Sequence, residues 1–330
     1  MIVAIFVTSA SIFVSQQGQQ KQSVDEQSEI SYPAQNTAAR ESSGSSLAAY
    51  NESEAMRFVD FSGAAYCAGT LGHGVEKWDC AVCKKYPDVT ATVVSDKGLF
   101  ATDCNGFVAF DPNHGRNGTI VVSISGTDPA SIQNWIDDLN FFAISPNDYM
   151  AAGCPQGCKV DRGFYYTYKA VQKKIREAVA GLKMKHPAAK TVVTGHSLGG
   201  AVAVHAVVDL ALAGYPADMV FTYGQPRVGN DVFAKWYVSK FTQGKPHFRI
   251  THSHDPVPHL PTSGSGPIGG FTHVPVEVYY PRDSRGEHTV CDGSGEDLKC
   301  SDSNIVDLTL TDHLFYLGFH FISNYIGCKL

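Results

Sequence analysis

The chain has 330 residues, of which 43% are hydrophobic and 18% charged, and its net charge is −6 at pH 7. These values predict one large soluble domain with enough apolar material for a sizeable core. The negative charge argues against a nucleic-acid partner. The apolar run from Met1 to Val14 is too short for a transmembrane anchor, which needs about 20 residues.

The start of the chain is expected to lie outside the folded domain. We assign 1–17 to a secretory signal peptide, but no Lys or Arg precedes its apolar core, so a buried terminal strand or a misassigned start stays open. Residues 18–48 are rich in Gln, Ser, Glu and Asn and cannot bury enough surface to fold alone, which predicts a propeptide or disordered leader. One globular domain is predicted from 49 to 330.

The nine cysteines favour an oxidising, extracellular compartment. They divide into local pairs, one pair from opposite ends of the domain and one residue left over: Cys80 with Cys83, Cys154 with Cys158, Cys291 with Cys300, Cys67 with Cys328, and Cys104 alone. The Cys80-x-x-Cys83 spacing also occurs in zinc sites, but no second half follows, so no metal is predicted. Glycosylation sequons at Asn51 and Asn117 are compatible with secretion.

Apolar periodicity predicts strands that alternate with helices. The predicted strands are 89–94, 107–111, 120–125, 190–194, 219–223, 248–251 and 274–280, and residues 305–310 are also strand-like. The predicted helices are 56–65, 164–185, 197–213, 231–241 and 313–325. This alternation predicts a mostly parallel central sheet covered on both faces, with ligands gathering at the carboxyl ends of the strands.

The segment after the strand 120–125 carries an amphipathic helix. Residues 131–139 place apolar side chains at spacings of three and four, at Ile132, Trp135, Ile136 and Leu139. One interpretation is ordinary core packing. The other is a short helical lid, whose apolar face covers a site in water and turns onto a lipid surface when the site opens.

Thr194 to Gly200 reads T-G-H-S-L-G-G and follows a β-branched strand. This G-x-S-x-G turn, followed by a small-residue helix, is typical of a nucleophile elbow, with Ser197 as the nucleophile. The N–H of Leu198 and a donor at Thr127 would form the oxyanion hole. The alternatives are a glycine-rich turn with a capping serine at 197 and, for Thr127, a simple helix cap.

A serine nucleophile needs a base and an acid that orients the base. Asp255 follows the strand 248–251 in a proline-rich loop and is the preferred acid, ahead of Asp283, Asp292 and Asp302 in polar turns. His313 is the preferred base because it lies between a strand-like segment and an apolar helix, whereas His320 lies inside that helix. The order Ser197, Asp255, His313 is the order of the α/β-hydrolase fold.

Four segments together resemble the fungal and yeast secreted triacylglycerol lipases, the class 3 lipase family, from about Tyr50 to the C-terminus. They are Gly126-Thr127 with 131–136, Val193 to Ala201, Tyr223 to Asn230, and Arg249 to Pro261. The yeast branch has similar cysteines. The resemblance implies the same triad and oxyanion residues, a lid at about 128–138, and the α/β-hydrolase fold. Two features depart from it: Ser125 stands where the family often has an arginine that would anchor the lid, and the glycine-rich loop 263–270 is individual.

The residues and the resemblance together predict a secreted serine hydrolase that cleaves acylglycerol esters at an oil–water interface, as a monomer and without a cofactor. Val257, Leu260 and Leu314, next to the catalytic loops, are candidates for the acyl pocket. The alternatives are a mono- or diacylglycerol-selective lipase, an esterase of the feruloyl-esterase type acting on soluble esters, and a non-catalytic lipid-binding protein. The apolar lid argues against the esterase, and the complete triad argues against the binding protein.

Overall fold

The structure is a computed structural model that describes residues 48–69, 74–96, 104–137, 141–263, 270–282 and 285–329. All of them belong to one compact unit, Ser45–Leu330. The predicted signal peptide, nearly all of the leader, Leu139, Asp283 and most of the glycine-rich loop lie outside the described residues.

The strands and helices alternate through most of the chain. The strands are β1 (Thr90–Ser95), β2 (Asn105–Asp111), β3 (Thr119–Ile124), β4 (Ala143–Ile144), β5 (Val160–Asp161), β6 (Lys190–His196), β7 (Met219–Tyr223), β8 (Gly229–Asn230), β9 (His247–His252), β10 (Phe271–Thr272), β11 (Glu277–Tyr280), β12 (Thr289–Val290), β13 (Phe315–Tyr316) and β14 (Phe319–His320). The helices are α1 (Glu52–Ala64), α2 (Ile132–Asp137), α3 (Asn147–Ala151), α4 (Arg162–Lys185), α5 (Leu198–Leu212), α6 (Asp231–Tyr237), α7 (Leu310–His313) and α8 (Phe321–Lys329).

The central sheet has eight strands in the order β1-β2-β3-β6-β7-β9-β11-β12. The strands from β3 to β11 pair in parallel, and the outer pairs are antiparallel. Alternate residues of a strand point to opposite faces. Val121 and Val192 therefore enter the apolar cluster formed with α1 and α8, while Val122 and Val193 enter the cluster formed with α4 and α5. The predicted parallel sheet with helices on both faces is thus confirmed.

The predicted cysteine pairs are all bonded in the structure: Cys67–Cys328, Cys80–Cys83, Cys154–Cys158 and Cys291–Cys300. Cys104 is a buried free thiol, and burial raises its pKa to about 12. The Cys67–Cys328 bond joins the end of the α1 segment to α8. No helix among the described residues is long and apolar enough to cross a membrane.

Two predicted elements are wrong, and both lie near the C-terminus. The predicted helix 313–325 is interrupted: α7 ends at His313, a β13–β14 hairpin follows, and α8 begins only at Phe321. Leu317 and Gly318 both have positive φ values, 52° and 79°, which suits a two-residue hairpin turn and breaks a helix. The apolar residues whose spacing predicted one helix therefore belong to α7, the β13–β14 hairpin and α8.

The predicted strand 305–310 is also wrong. Residues 304–309 form no strand and pair with no neighbour in a sheet, and Asp307 has a positive φ of 56°.

The smaller errors are at element ends. Asn51 caps α1 because its Oδ1 accepts hydrogen bonds from the N–H groups of Ser53 and Glu54, so this helix begins four residues before the predicted Met56. The predicted helix 231–241 changes after Tyr237 into a π-helical turn, Val238–Thr242.

Candidate active site

Ser197 lies at the sharp turn between β6 and α5. Its backbone has φ 60° and ψ −132°, a left-handed conformation that a non-glycine residue adopts only at some cost. The flanking glycines allow the turn: a Cβ on Gly195 would lie 2.3 Å from the carbonyl oxygen of Gly199, and a Cβ on Gly199 would lie 2.2 Å from that of Ile124. The strained turn is the geometry of a nucleophile elbow.

The loop after β3 packs directly against this serine. A Cβ on Gly126 would come within 2.8 Å of the Cβ of Ser197, so only glycine allows the approach. Thr127 follows and is half-buried. Leu198 is the first residue of α5, so its N–H belongs to the first-turn donors that have no partner inside the helix. The two predicted oxyanion residues therefore adjoin this close contact, since Thr127 follows Gly126 and Leu198 follows Ser197.

Asp255 and His313 form a buried pair. The Nδ1 of His313 lies 2.9 Å from Oδ1 and 2.8 Å from Oδ2 of Asp255. The Val257 N–H donates to the same carboxylate at 2.8 Å, and the Tyr316 hydroxyl donates to it as well. A Cβ on Gly224 would lie 2.8 Å from Oδ2 of Asp255 and 2.9 Å from Nδ1 of His313. Glycine at the end of β7 is therefore what leaves room for the pair.

Two reactive atoms of the site have no hydrogen-bond partner among the described residues. They are the Oγ of Ser197 and the Nε2 of His313, and both are buried. Since Nδ1 of His313 faces Asp255, its proton belongs there and Nε2 is the acceptor nitrogen. Ser197, Asp255 and His313 are 0%, 2% and 0% exposed, so the three side chains are closed to solvent in this conformation.

A buried histidine next to the nucleophile connects several parts of the site. The Tyr66 hydroxyl lies 2.7 Å from Nδ1 of His196, and Nε2 of His196 donates to the carbonyl oxygen of His313 at 2.7 Å. The Gly126 N–H also bonds the Tyr66 oxygen. Burial, with the nearby His313 ring, lowers the pKa of His196 well below its usual value, so the imidazole is neutral.

Sequence reasoning missed Tyr66, His196 and Tyr316 as parts of the site. His196 lies within the G-x-S-x-G motif, which is a signal, but its contacts depend on the placement of α8, whose Phe321 ring stacks on it at 3.7 Å. Tyr316 follows His313 by three residues on the β13–β14 hairpin, a structure that the apolar spacing did not predict.

The predicted lid is a short helix, α2, with its apolar side turned inward. Ile132 is buried, Trp135 and Ile136 are half-buried, and Trp135 packs against the same apolar cluster as Leu198. Asp128 caps the start of the segment by accepting from the N–H of Ala130 at 2.9 Å, and it also accepts from the Tyr325 hydroxyl. Ser125, which stands where the class 3 lipases often have an arginine, donates its hydroxyl to the Asn105 carbonyl at 2.9 Å.

The proposed acyl-pocket residues divide between two surroundings. Val257 is fully buried beside Asp255, and Leu260 is half-buried. Leu314 packs against the α1–α8 cluster, whereas Trp135 and Leu198 pack against the cluster on the other face of the sheet. The structure therefore does not bring Leu314 together with the lid.

An ion cluster around the buried Arg227 holds the loop that carries the acid. Arg227 donates to the carbonyl oxygens of Pro258 and Pro261 at 3.3 and 3.1 Å, and pairs with Glu296 and Asp302 at 2.6 and 3.2 Å. Burial alone would raise the pKa of Asp302, but its bond to His259 and the charge of Arg227 lower it to about 2. The cluster fixes the loop that carries Asp255.

The other candidates from the sequence have different roles. Asp292 caps an exposed turn by accepting from Ser294, and Asp302 belongs to the Arg227 cluster. His320 is exposed and its ring faces Ser323. Glu277, Cys291 and Cys300 lie close enough to hold a metal, but the two cysteines are bonded to each other, so this group is not a metal site.

Comparison with known proteins identifies the family. The family model described as Lipase (class 3) matches residues 121–264. A lipase of Rhizomucor miehei is 32% identical over 294 residues, which cover 87% of this chain and 75% of that protein. The secreted mono- and diacylglycerol lipase 1 of Fusarium solani is 35% identical over 78% of this chain and 74% of its own length.

The fold is similar as well. A solved triacylglycerol lipase, described as having a serine protease triad as its catalytic centre, has a TM-score of 0.69 and 30% identity, over 82% of this chain and 96% of that one. These similarities confirm the predicted α/β-hydrolase fold and the predicted carboxylic ester hydrolase. The chain belongs to the class 3 lipase family.

Proposed function

We propose that this lipase is an extracellular enzyme that hydrolyses acylglycerol esters at a lipid–water interface with Ser197, Asp255 and His313 as its catalytic triad. One observation carries the proposal: the hydrogen-bonded Asp255–His313 pair lies at the edge of the sheet where the strained turn presents Ser197. No cofactor is needed, because nucleophile, base and oxyanion donors all come from the chain.

In the acylation step, the Oγ of Ser197 attacks the ester carbonyl while Nε2 of His313 takes its proton. The N–H groups of Leu198 and Thr127 stabilise the negative oxygen of the tetrahedral intermediate, and the Thr127 hydroxyl is available as a third donor. His313 then gives the proton to the leaving glycerol oxygen. In deacylation, water attacks the acyl-enzyme, His313 takes its proton, and the fatty acid leaves as Oγ of Ser197 is protonated again.

Asp255 orients His313 and stabilises its protonated form. Its carboxylate receives hydrogen bonds from Val257 N–H and Tyr316 as well as from His313. These bonds hold the carboxylate in place against Nδ1 of His313, where it faces the imidazolium that forms during the reaction. Tyr316 is in this account a positioning residue, because it acts through Asp255 and does not touch the ester.

Access to the triad is the role we propose for α2. Ile132 is buried and Trp135 and Ile136 are half-buried, and in the closed conformation that we propose these side chains cover the triad. At a lipid surface the same side chains find an equally apolar partner, so opening costs less there than in water. Val257 and Leu260 then border the acyl chain. Leu314 follows His313 and packs against the apolar cluster formed with α1 and α8.

The substrate is an acylglycerol, and relatives of both kinds exist: some are named mono- and diacylglycerol lipases, and one solved neighbour is a triacylglycerol lipase. The apolar lid face favours a water-insoluble substrate over a soluble ester of the feruloyl type. Four disulfides and the naming of several relatives as secreted support an extracellular site of action. We expect a monomer with glycans on the exposed Asn51 and Asn117.

The test is a comparison of hydrolysis rates on triolein, diolein, monoolein and methyl ferulate, each above and below its solubility limit. The proposal predicts that emulsified acylglycerols are cleaved fastest and that the rate rises where an emulsion appears. A preference for dissolved methyl ferulate, with no gain at the solubility limit, would favour the esterase. Absence of hydrolysis on every ester would favour the binding protein.

A further inference from the structure

An exposed apolar loop borders the site and has no role in the chemistry proposed above. Ile305, Val306 and Leu308 are 69%, 67% and 40% exposed. Single exposed apolar residues are common on soluble proteins, but three within four residues form a patch that calls for a partner. We call this segment, residues 305–308, the apolar loop.

Hydrogen bonds hold the apolar loop against the turn that carries the catalytic acid. The Thr309 N–H donates to the carbonyl of His254 at 2.9 Å, and the side-chain amide of Asn304 lies 3.4 Å from the carbonyl of Ser253. Asp312 closes the arrangement by accepting from the His254 N–H at 2.9 Å. Both ends of the loop are therefore attached to the two residues that precede Asp255.

This attachment fixes the edge of the sheet at which the loop lies. His254 follows the carboxyl end of β9, and α2 follows the carboxyl end of β3, a strand of the same parallel set. The carboxyl ends of parallel strands lie at one edge of a sheet. The apolar loop and the lid therefore occupy the same edge of the molecule as the triad.

The charges around the loop restrict its partner. Residues 301–312 contain no Lys or Arg, and of their three aspartates Asp302 is paired with Arg227, Asp312 lies 3.7 Å from Nδ1 of His254, and Asp307 is exposed. An anionic phospholipid surface attracts basic segments, so an acidic border disfavours it. An uncharged apolar surface carries no such penalty, and burial of the three side chains there is favourable.

We propose that the apolar loop is a second interface anchor that inserts Ile305, Val306 and Leu308 into an uncharged acylglycerol surface, independently of the lid. The inference rests on the proposed function, since it takes the oil surface as the partner. It assigns α2 the opening of the site and the apolar loop the attachment of the enzyme to the surface.

Adsorption to triolein droplets, measured with the inactive Ser197→Ala protein so that no substrate is consumed, tests the anchor. The Ile305→Ser/Val306→Ser double variant in this background should partition to droplets roughly tenfold or more weakly. The matched control is Met184→Ser: this side chain is 81% exposed in the last turn of α4, before the amino end of β6 and so at the opposite edge. Its adsorption should change by less than about twofold.

The choice of surface is tested with vesicles. We expect the Ser197→Ala protein to adsorb more weakly to anionic phosphatidylglycerol vesicles than to triolein droplets at low ionic strength, because of the acidic border. Unchanged adsorption of the double variant to triolein would overturn the proposal, and so would a preference for the anionic vesicles. A parent protein that sediments as a dimer, with a monomeric double variant, would instead identify a second copy as the partner.

Activity measurements separate this inference from the proposed function. With Ser197 intact, the double variant should hydrolyse a dissolved short-chain ester at the parent rate, and its rate on emulsion should fall at limiting oil surface and recover as the surface increases. If the parent protein cleaves no acylglycerol, the proposed function fails, while the adsorption result still decides the anchor. If emulsion activity falls equally at every oil surface, the loop acts in catalysis and the anchor is wrong.

Discussion

The inner and outer parts of the active site are built in different ways. The inner part, Ser197 with Asp255 and His313, is almost completely buried, and glycines at 126, 195, 199 and 224 let backbone and side chains approach more closely than any other residue would permit. The outer part, α2 and the apolar loop, consists of short segments whose apolar side chains are half-buried or exposed, apart from the buried Ile132. The chemistry is thus fixed on the sheet, and contact with the substrate surface is left to segments that add little to the core.

Removal of the nucleophile or the base should have the largest effect. We expect Ser197→Ala and His313→Ala each to lower ester hydrolysis on the order of 10⁴-fold or more, because the acyl-enzyme can no longer form. The rate should fall equally on dissolved and emulsified esters, since the inner part serves both. His320→Ala is the control, because this ring is exposed, hydrogen-bonds Ser323 and packs edge-on against Phe315, away from the triad. Loss of activity in that variant, with His313→Ala active, would mean that the base is misassigned.

Loss of the Cys67–Cys328 disulfide should affect stability more than chemistry. The bond closes a loop of 261 residues between the end of the α1 segment and α8. In the chain-entropy model such a closure stabilises by on the order of 5 kcal/mol, an upper figure for real proteins. The double variant Cys67→Ala/Cys328→Ala should therefore unfold at a clearly lower denaturant concentration. Peptide mapping without reduction checks the pairing, and Cys104 found in a disulfide would reject it.

Tyr316→Phe tests the support of the acid within the inner part. The variant removes one hydrogen bond to the buried carboxylate of Asp255 and leaves the ring in place. Because the bond is to a charged group, its loss should cost about 1.5–3 kcal/mol, which appears as a roughly tenfold or greater fall in kcat and a displaced acid limb of the pH profile. Tyr166→Phe, on the exposed side of α4, is the matched control. If Tyr316→Phe and Tyr166→Phe lower the free energy of unfolding equally and both leave the pH profile unchanged, Tyr316 is only a packing residue.

Trp135→Ser should separate the outer part from the inner part. Burial of each apolar side chain of α2 is worth roughly 1.5–3 kcal/mol, so the variant weakens both the closed state and the contact of the open lid with lipid. We expect a several-fold greater loss on emulsified long-chain triglyceride than on a dissolved short-chain ester. If both rates fall by the same factor, Trp135 only packs and the lid interpretation fails.

The sequence predicts the inner and the outer part of the site to different extents. Ser197, Asp255 and His313 follow from local patterns at strand ends, because a parallel sheet brings those ends to one edge. Tyr66, His196 and Tyr316 could not be assigned, because their contacts join segments far apart in the chain. The segment from Ile305 was predicted wrongly. Alternating apolar residues usually indicate a half-buried strand, but here Ile305, Val306 and Leu308 are exposed, as we expect of a segment that binds a surface.

Labelling with a p-nitrophenyl phosphonate ester, an irreversible serine reagent, shows whether the enzyme has a single triad at Ser197 and whether access to it depends on the interface. The rate of labelling is measured by release of nitrophenol with and without a dispersed lipid phase, and the modified residue is identified by peptide mapping. We expect modification at Ser197 alone and a several-fold faster reaction when the lipid phase is present. Modification at another residue, or equal rates with and without lipid, would contradict this expectation.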